Sequence, residues 1–167
     1  MMEVFKSLPE GTLTELIDNK LYMSPSPVFN HQVVSKSIVK DLLREVEESN
    51  TGQVFYAPFD VYLDEQQNAV QPDVLVVLNQ NSRIIDLNGH IHGVPDFIVE
   101  VLSKGNKQHD LILKKDLYER FGVKEYWIVD PDTKLAIGYR YANGKFELIA
   151  EDIGIIKSEL LSCSIAF

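Results

Sequence analysis

Between residues 30 and 50, apolar side chains return at every fourth position: Val34, Ile38, Leu42 and Val46. That spacing lines one side of an α-helix, expected to start near Asn30, which can cap it, and to end at Asn50 and Gly52. Downstream the period changes. Val54–Leu63 is rich in aromatic and β-branched residues and reads as a strand, with Pro58 marking a bulge or a sheet edge. Asp73–Leu78 is a short aliphatic run, and Phe97–Leu102 is another, apolar on both sides of its alternation and so covered on both faces. Between them, residues 79–93 are polar and glycine-bearing and read as a surface excursion. A second helix is expected from about Asp110 to Phe121, with Gly122 to stop it. A buried strand, Glu125–Val129, follows and ends at Asp130-Pro131-Asp132. Residues 134–150 should form a hairpin about Asn143-Gly144. Ahead of the first helix, residues 9–27 suggest a β-rich opening, with Leu16, Ile17, Leu21 and Tyr22 around an Asp18-Asn19 turn and a Ser-Pro-Ser-Pro loop at 24–27. A helix joining two aliphatic strands implies a mixed sheet covered by helices. The expected class is therefore a three-layer α/β fold over one domain, residues 1–167.

Composition agrees with a globular domain, at 45% hydrophobic and 25% charged residues. The longest aliphatic run, Val74–Leu78, is far short of the ~20 residues a membrane span needs, and the opening MMEVFKSLPEG lacks a secretory apolar stretch. The single cysteine, Cys163, cannot pair internally; it reads as a small core residue and the chain as cytoplasmic. A net charge of −9 runs against nucleic-acid binding, which draws on neutralised phosphates. Distribution decides more than the sum. Lys104, Lys107, Lys114, Lys115, Arg120 and Lys124 fall in one short segment, whereas Asp41, Glu45, Glu47 and Glu48 crowd the first helix. That leaves room for a basic groove on an acidic body.

Glu100 carries the most chemical information. It lies inside Phe97-Ile98-Val99-Glu100-Val101-Leu102, sharing a face with Ile98 and Leu102. A carboxylate there costs several kcal/mol (roughly) unless it is paired or binds a metal. The competing account is a strand-end glutamate paired with a lysine of the next helix. Asp73 opens the preceding aliphatic strand after Pro72; taken singly this is weak, since Pro95-Asp96 repeats the dipeptide. Together, two hard oxygen ligands from neighbouring strands suit Mg²⁺ or Mn²⁺, completed by water and a phosphate oxygen. A cation near the attacking water could come from Lys114 or Lys115, with Lys114 preferred because it borders the buried face of its helix alongside Asp110 and Tyr118. An ordinary Asp110–Lys114 helix pair is the plainer explanation. His31 and His109 could contact phosphate but read more simply as solvated residues at helix starts, and His90 and His92 lack metal-like partners. Tyr126 and Trp127 read as core or groove wall.

The stretch from Pro95 to Pro131 resembles the Uma-type restriction endonucleases, a branch of the PD-(D/E)XK nuclease superfamily. The pattern runs through Glu100-Val101-Leu102-Ser103, Asp110, Lys114, Tyr118, Gly122-Val123, Glu125-Tyr126-Trp127 and Asp130-Pro131. Upstream, Glu15-Leu16-Ile17-Asp18, Leu21-Tyr22-Met23-Ser24-Pro25, His31-Gln32 and Pro72-Asp73 also look like the family, so the likeness covers roughly residues 12 to 140. It implies a restriction-endonuclease-like fold and a metal-dependent endonuclease acting on DNA. Asp73 and Glu100 would be metal ligands, the Val101 carbonyl a third, and Lys114 the lysine moved onto the following helix. Three departures stand out: Leu102 where the plain motif has lysine, Asn19-Lys20 where Gly-Glu is common, and Lys104-Gly105-Asn106 where Pro-Ser-Thr is usual. Cleavage of both strands by a one-site subunit would favour a homodimer. The alternative is a catalytically inactive relative that keeps the fold as a binding or regulatory module, in keeping with the charge of −9.

Overall fold

The fourfold stripe of the first helix is buried: Val34, Ile38 and Leu42 are wholly inaccessible and Val46 nearly so. The computed structural model describes residues 1–104 and 109–167, and of residues 109–111 the backbone alone. In chain order the elements are α1 (Met2–Lys6), β1 (Thr14–Ile17), β2 (Lys20–Met23), α2 (Phe29–Leu42), β3 (Gly52–Tyr56), β4 (Val61–Tyr62), β5 (Ala69–Val70), β6 (Val74–Leu78), β7 (Ile91–His92) and β8 (Phe97–Val101). They continue with α3 (Lys115–Phe121), β9 (Glu125–Val129), β10 (Leu135–Ala142), β11 (Lys145–Ile153), β12 (Ile155–Ser158) and β13 (Cys163–Ala166). A π-helical turn, Leu43–Glu47, extends α2, and another, His109–Lys114, leads into α3.

The main sheet has the order β11-β10-β9-β8-β6-β3. Its β8–β9 pair is parallel and the others antiparallel, as a helix between two aliphatic strands requires. Alternation sorts its side chains to two sides. Val74, Val76, Phe97, Val99 and Trp127 pack under α2 and against Ile156 and Ile165 of the β12–β13 hairpin. Leu75, Val77, Ile98 and Tyr126 pack against α3 and a second sheet, β2-β1-β5-β4-β7. The result is the expected layered α/β arrangement, with Glu100 on the side of α3 and the small sheet.

Several expectations need correction. Asn30 does not cap α2. The helix begins one residue earlier behind Val28, and the Asn30 amide, already in the first turn, donates to Asp132 Oδ1 at 3.1 Å. Asn50 ends the helical segment in the left-handed region at φ 56°, and β3 starts at Gly52, where an added Cβ would meet the Val77 carbonyl oxygen at 2.6 Å. The expected strand Val54–Leu63 divides: β3 is an edge of the large sheet, Pro58 lies outside any strand, and β4 joins the small sheet. Residues 79–93 are more than a surface excursion. They form a 3₁₀ turn, Asn79–Ile84, then β7, and they bury Ile84 and Ile91. The short α1 and the β12–β13 hairpin lie outside the expected elements. No helix among the described residues is long and apolar enough to cross a membrane.

Candidate active site

Strands β6 and β8 pair with Val74 opposite Val99. One further step in that register sets Asp73 against Glu100, on the face shared by Leu75 and Ile98. Asp73 is held from two sides. Its Oδ2 accepts the Val101 N–H at 2.8 Å, and its Oδ1 lies 3.2 Å from His31 Nε2, brought in by the first turn of α2. Glu100 Oε1 meets Lys114 Nζ and the Tyr118 hydroxyl, each at 2.6 Å. Lys114 and Tyr118 lie four residues apart where the π-helical turn passes into α3, so one helical face delivers both.

Lys114 has a second carboxylate. Its Nζ is 2.9 Å from Oε1 of Glu15 on β1, and the same oxygen accepts the Gln71 N–H at 2.8 Å. The side chains of Glu15, Glu100 and Lys114 are only 5%, 3% and 4% exposed. At such depth an ammonium between two carboxylates is held by desolvated, charge-assisted hydrogen bonds. Burial first, and then the Glu100 charge, push the Tyr118 phenol well above its ordinary pKa, so it remains protonated and donates to Glu100.

These groups open on a cavity of about 670 Å³ whose lining includes Glu15, His31, Asp73, Glu100, Val101 and Lys114. Three carboxylates thus gather about Lys114 and His31, with Lys36 also on the lining, a set rich in the hard oxygen donors that suit a cation. Among the described residues, no three His, Cys, Asp or Glu side chains group as metal ligands. The donor set nevertheless fits a hard divalent ion that keeps most of its own waters: Asp73 and Glu100, with the Val101 carbonyl that the family resemblance adds.

The structure therefore brings together Asp73, Glu100 and Lys114, the residues singled out in the sequence. Lys115 goes elsewhere, its Nζ 4.7 Å from the centre of the Tyr139 ring. The side chains of His109 and Asp110, and with them the Asp110–Lys114 pair, lie outside the described residues. His31 is a correction. It is buried on the cavity wall rather than solvated, because α2 turns its first face inward. Glu15 was missed, since Thr-Glu-Leu-Ile looks like any short strand with an outward acid. The second Pro-Asp dipeptide is structural. Asp96 accepts the Leu78 N–H at 2.8 Å and lies 2.6 Å from Lys124 Nζ, away from the cavity. His92 pairs with Glu65, and Tyr126 and Trp127 are fully buried as expected.

The basic segment forms no continuous face among the described residues. Lys104 approaches Asp132 at 4.0 Å, Arg120 binds Asp18 and Lys124 binds Asp96, while Lys107 lies outside them.

Fold and site together define a restriction-endonuclease-like α/β protein. The family model described as "Uma2: Putative restriction endonuclease" matches residues 2–154, and the chain belongs to that family. Among solved structures it is similar to a protein of Anabaena variabilis described as "a putative nuclease belonging to DUF820". The TM-score is 0.76 at 22% identity, with 96% of this chain and 90% of that one covered, a likeness of fold. No curated protein matches the chain.

Proposed function

We propose that this protein is a divalent-metal-dependent nuclease that hydrolyses phosphodiester bonds of DNA, with Asp73 and Glu100 as the ligands of Mg²⁺ or Mn²⁺. The observation that carries this reading is one cavity in which Asp73, Glu100 and Lys114 converge from two neighbouring strands and the following helix. The ion, when bound, would activate a water and offset charge on the scissile phosphate. The remaining work belongs to the chain. The Val101 N–H and His31 fix the Asp73 carboxylate, and the Tyr118 hydroxyl orients that of Glu100. Lys114, anchored by Glu15, lies beside Glu100, where it orients the attacking water and meets the charge of the pentavalent phosphate. Cutting both strands with a single site would call for two copies of the chain.

A second reading keeps the fold as a non-catalytic binding module. It is favoured by Glu100 Oε1 already meeting both Lys114 and Tyr118. Supercoiled plasmid incubated with Mg²⁺ or Mn²⁺, beside a Glu100→Ala control, separates the two. Metal-dependent nicking lost in the control supports the nuclease. Equal cleavage by both proteins removes Glu100 from the role, and no cleavage together with a melting temperature indifferent to Mn²⁺ favours the module.

A further inference from the structure

The cavity changes character toward its mouth. Phe29, at the start of α2, and Tyr56, at the end of β3, both line it, and they are 80% and 59% exposed. Leu43 lines it too at 36% exposure, and Pro25 and Pro58 add apolar wall. Two large aromatic rings left in water at one cavity mouth are unspent contact surface. The floor beneath them is the ionic cluster of Asp73, Glu100 and Lys114. A ligand that fits has a flat apolar part and, where a cation sits on that floor, an anionic part within one small-molecule length, and about 670 Å³ is within the usual range for such sites.

Charge narrows the choice further. Among the described residues, the basic side chains of the lining are Lys36, Lys114, which Glu15 and Glu100 engage, and His31, which lies against Asp73. On a chain of net charge −9, Lys104, Lys115, Arg120 and Lys124 each lie against an acid or a ring, and among the described residues these and the cavity lining form no continuous track of cations for a duplex backbone. Stacking of bases on aromatic rings contributes affinity beyond the phosphate term, and it is available only to unpaired nucleotides.

We propose that the cavity takes an unpaired nucleotide of single-stranded DNA, its base against Phe29 and Tyr56 and its phosphate toward Asp73, Glu100 and Lys114. The placement of the phosphate rests on the nuclease reading; the placement of the base rests on the exposed rings. Both rings are solvent-facing, so their truncation leaves the core intact.

The test is fluorescence anisotropy of the intact chain with a labelled mixed-sequence oligonucleotide, single-stranded and as its duplex, with Ca²⁺ as the hard cation. The single strand should bind about ten-fold or more tightly than the duplex, and the Phe29→Ala/Tyr56→Ala variant should lose about ten-fold or more of that affinity at an unchanged melting temperature. Equal or tighter binding of the duplex, undetectable binding of the single strand, or an unaffected double variant overturns the proposal. So does a dimer in sedimentation velocity that the same substitutions dissolve, because the rings would then face a second copy. Selective binding without Mn²⁺-dependent cleavage supports this inference and removes only the nuclease reading. Duplex cleavage indifferent to both substitutions does the reverse.

Discussion

Replacing Lys114 with methionine removes an ammonium that touches two buried carboxylates and little solvent. Across 2.9 Å, at an effective dielectric of about 20, the gross attraction of each pair is about 6 kcal/mol, most of it offset by desolvation. The one-sided loss is larger than the net worth of the pairs, because two buried carboxylates lose the ammonium they share. A cost of about 3–5 kcal/mol is expected for Lys114→Met. For a chain of this length that corresponds to a fall in melting temperature of roughly 6–20 °C. Adding Glu15→Gln should return part of the loss, since the amide oxygen can still accept the Gln71 N–H while one of the stranded charges disappears. The assay is a double-mutant cycle by urea unfolding of the parent, the two single variants and the double variant. Additive effects, or a Lys114→Met cost under about 1 kcal/mol, would show that the three side chains do not act as one buried cluster.

Other consequences can be measured separately. Asp96→Asn should cost about 1–3 kcal/mol, because the buried carboxylate accepts from Leu78 N–H, Asn81 Nδ2 and Lys124 Nζ and an amide would turn its NH2 toward one of these donors, whereas Asp73→Asn should cost under about 1 kcal/mol and, on the proposed reading, act on metal binding instead; equal destabilisation would make Asp73 a structural residue. Gly138→Ala would put a Cβ within 2.5–2.7 Å of three Trp127 ring carbons, so a loss of about 1–3 kcal/mol is expected on chemical denaturation, and an unchanged midpoint would contradict that packing. The Cys163 thiol is pushed up to about 11, by burial first and then by the Glu45 charge, so disulfide-exchange labelling near pH 8 should be about 100-fold slower than in unfolded protein. Because this group's folded value is raised, its contribution to stability is complete below about pH 9 and is lost as pH climbs toward 11. Labelling at the unfolded rate would refute the burial of this thiol.

Residues at the centre of the site were readable where chemistry conflicted with its surroundings. Glu100 stood out because an acid sits inside an otherwise aliphatic strand, and Lys114 because it borders the buried stripe of its helix. Local sequence does not tell Asp73 from Asp96, since both follow proline and precede an aliphatic run; the family resemblance favours Asp73, and register and burial separate the two in space. Glu15 could not be read, because the strand carrying it is four residues long and its side chain is committed by a lysine 99 positions later in the chain. The same limit applies to the fold. The α2 stripe and the Asn143-Gly144 hairpin follow from local periodicity and turn chemistry. The division of residues 54–63 between two sheets, and the pairing of β7 with β4, are decided by partners distant in sequence.

Glu15 and Glu100 belong to different sheets, and a single lysine from the intervening helix touches both. The small sheet therefore does more than cover apolar surface: it acts as a latch on the ionic centre. Any fluctuation that lifts β1 away would take Glu15 from Lys114 while Asp73 and Glu100 stay seated on the large sheet. On the proposed nuclease reading, the ionic centre would then depend on seating of the small sheet as well as on the strand pair, and amide exchange in residues 14–17 should report that seating.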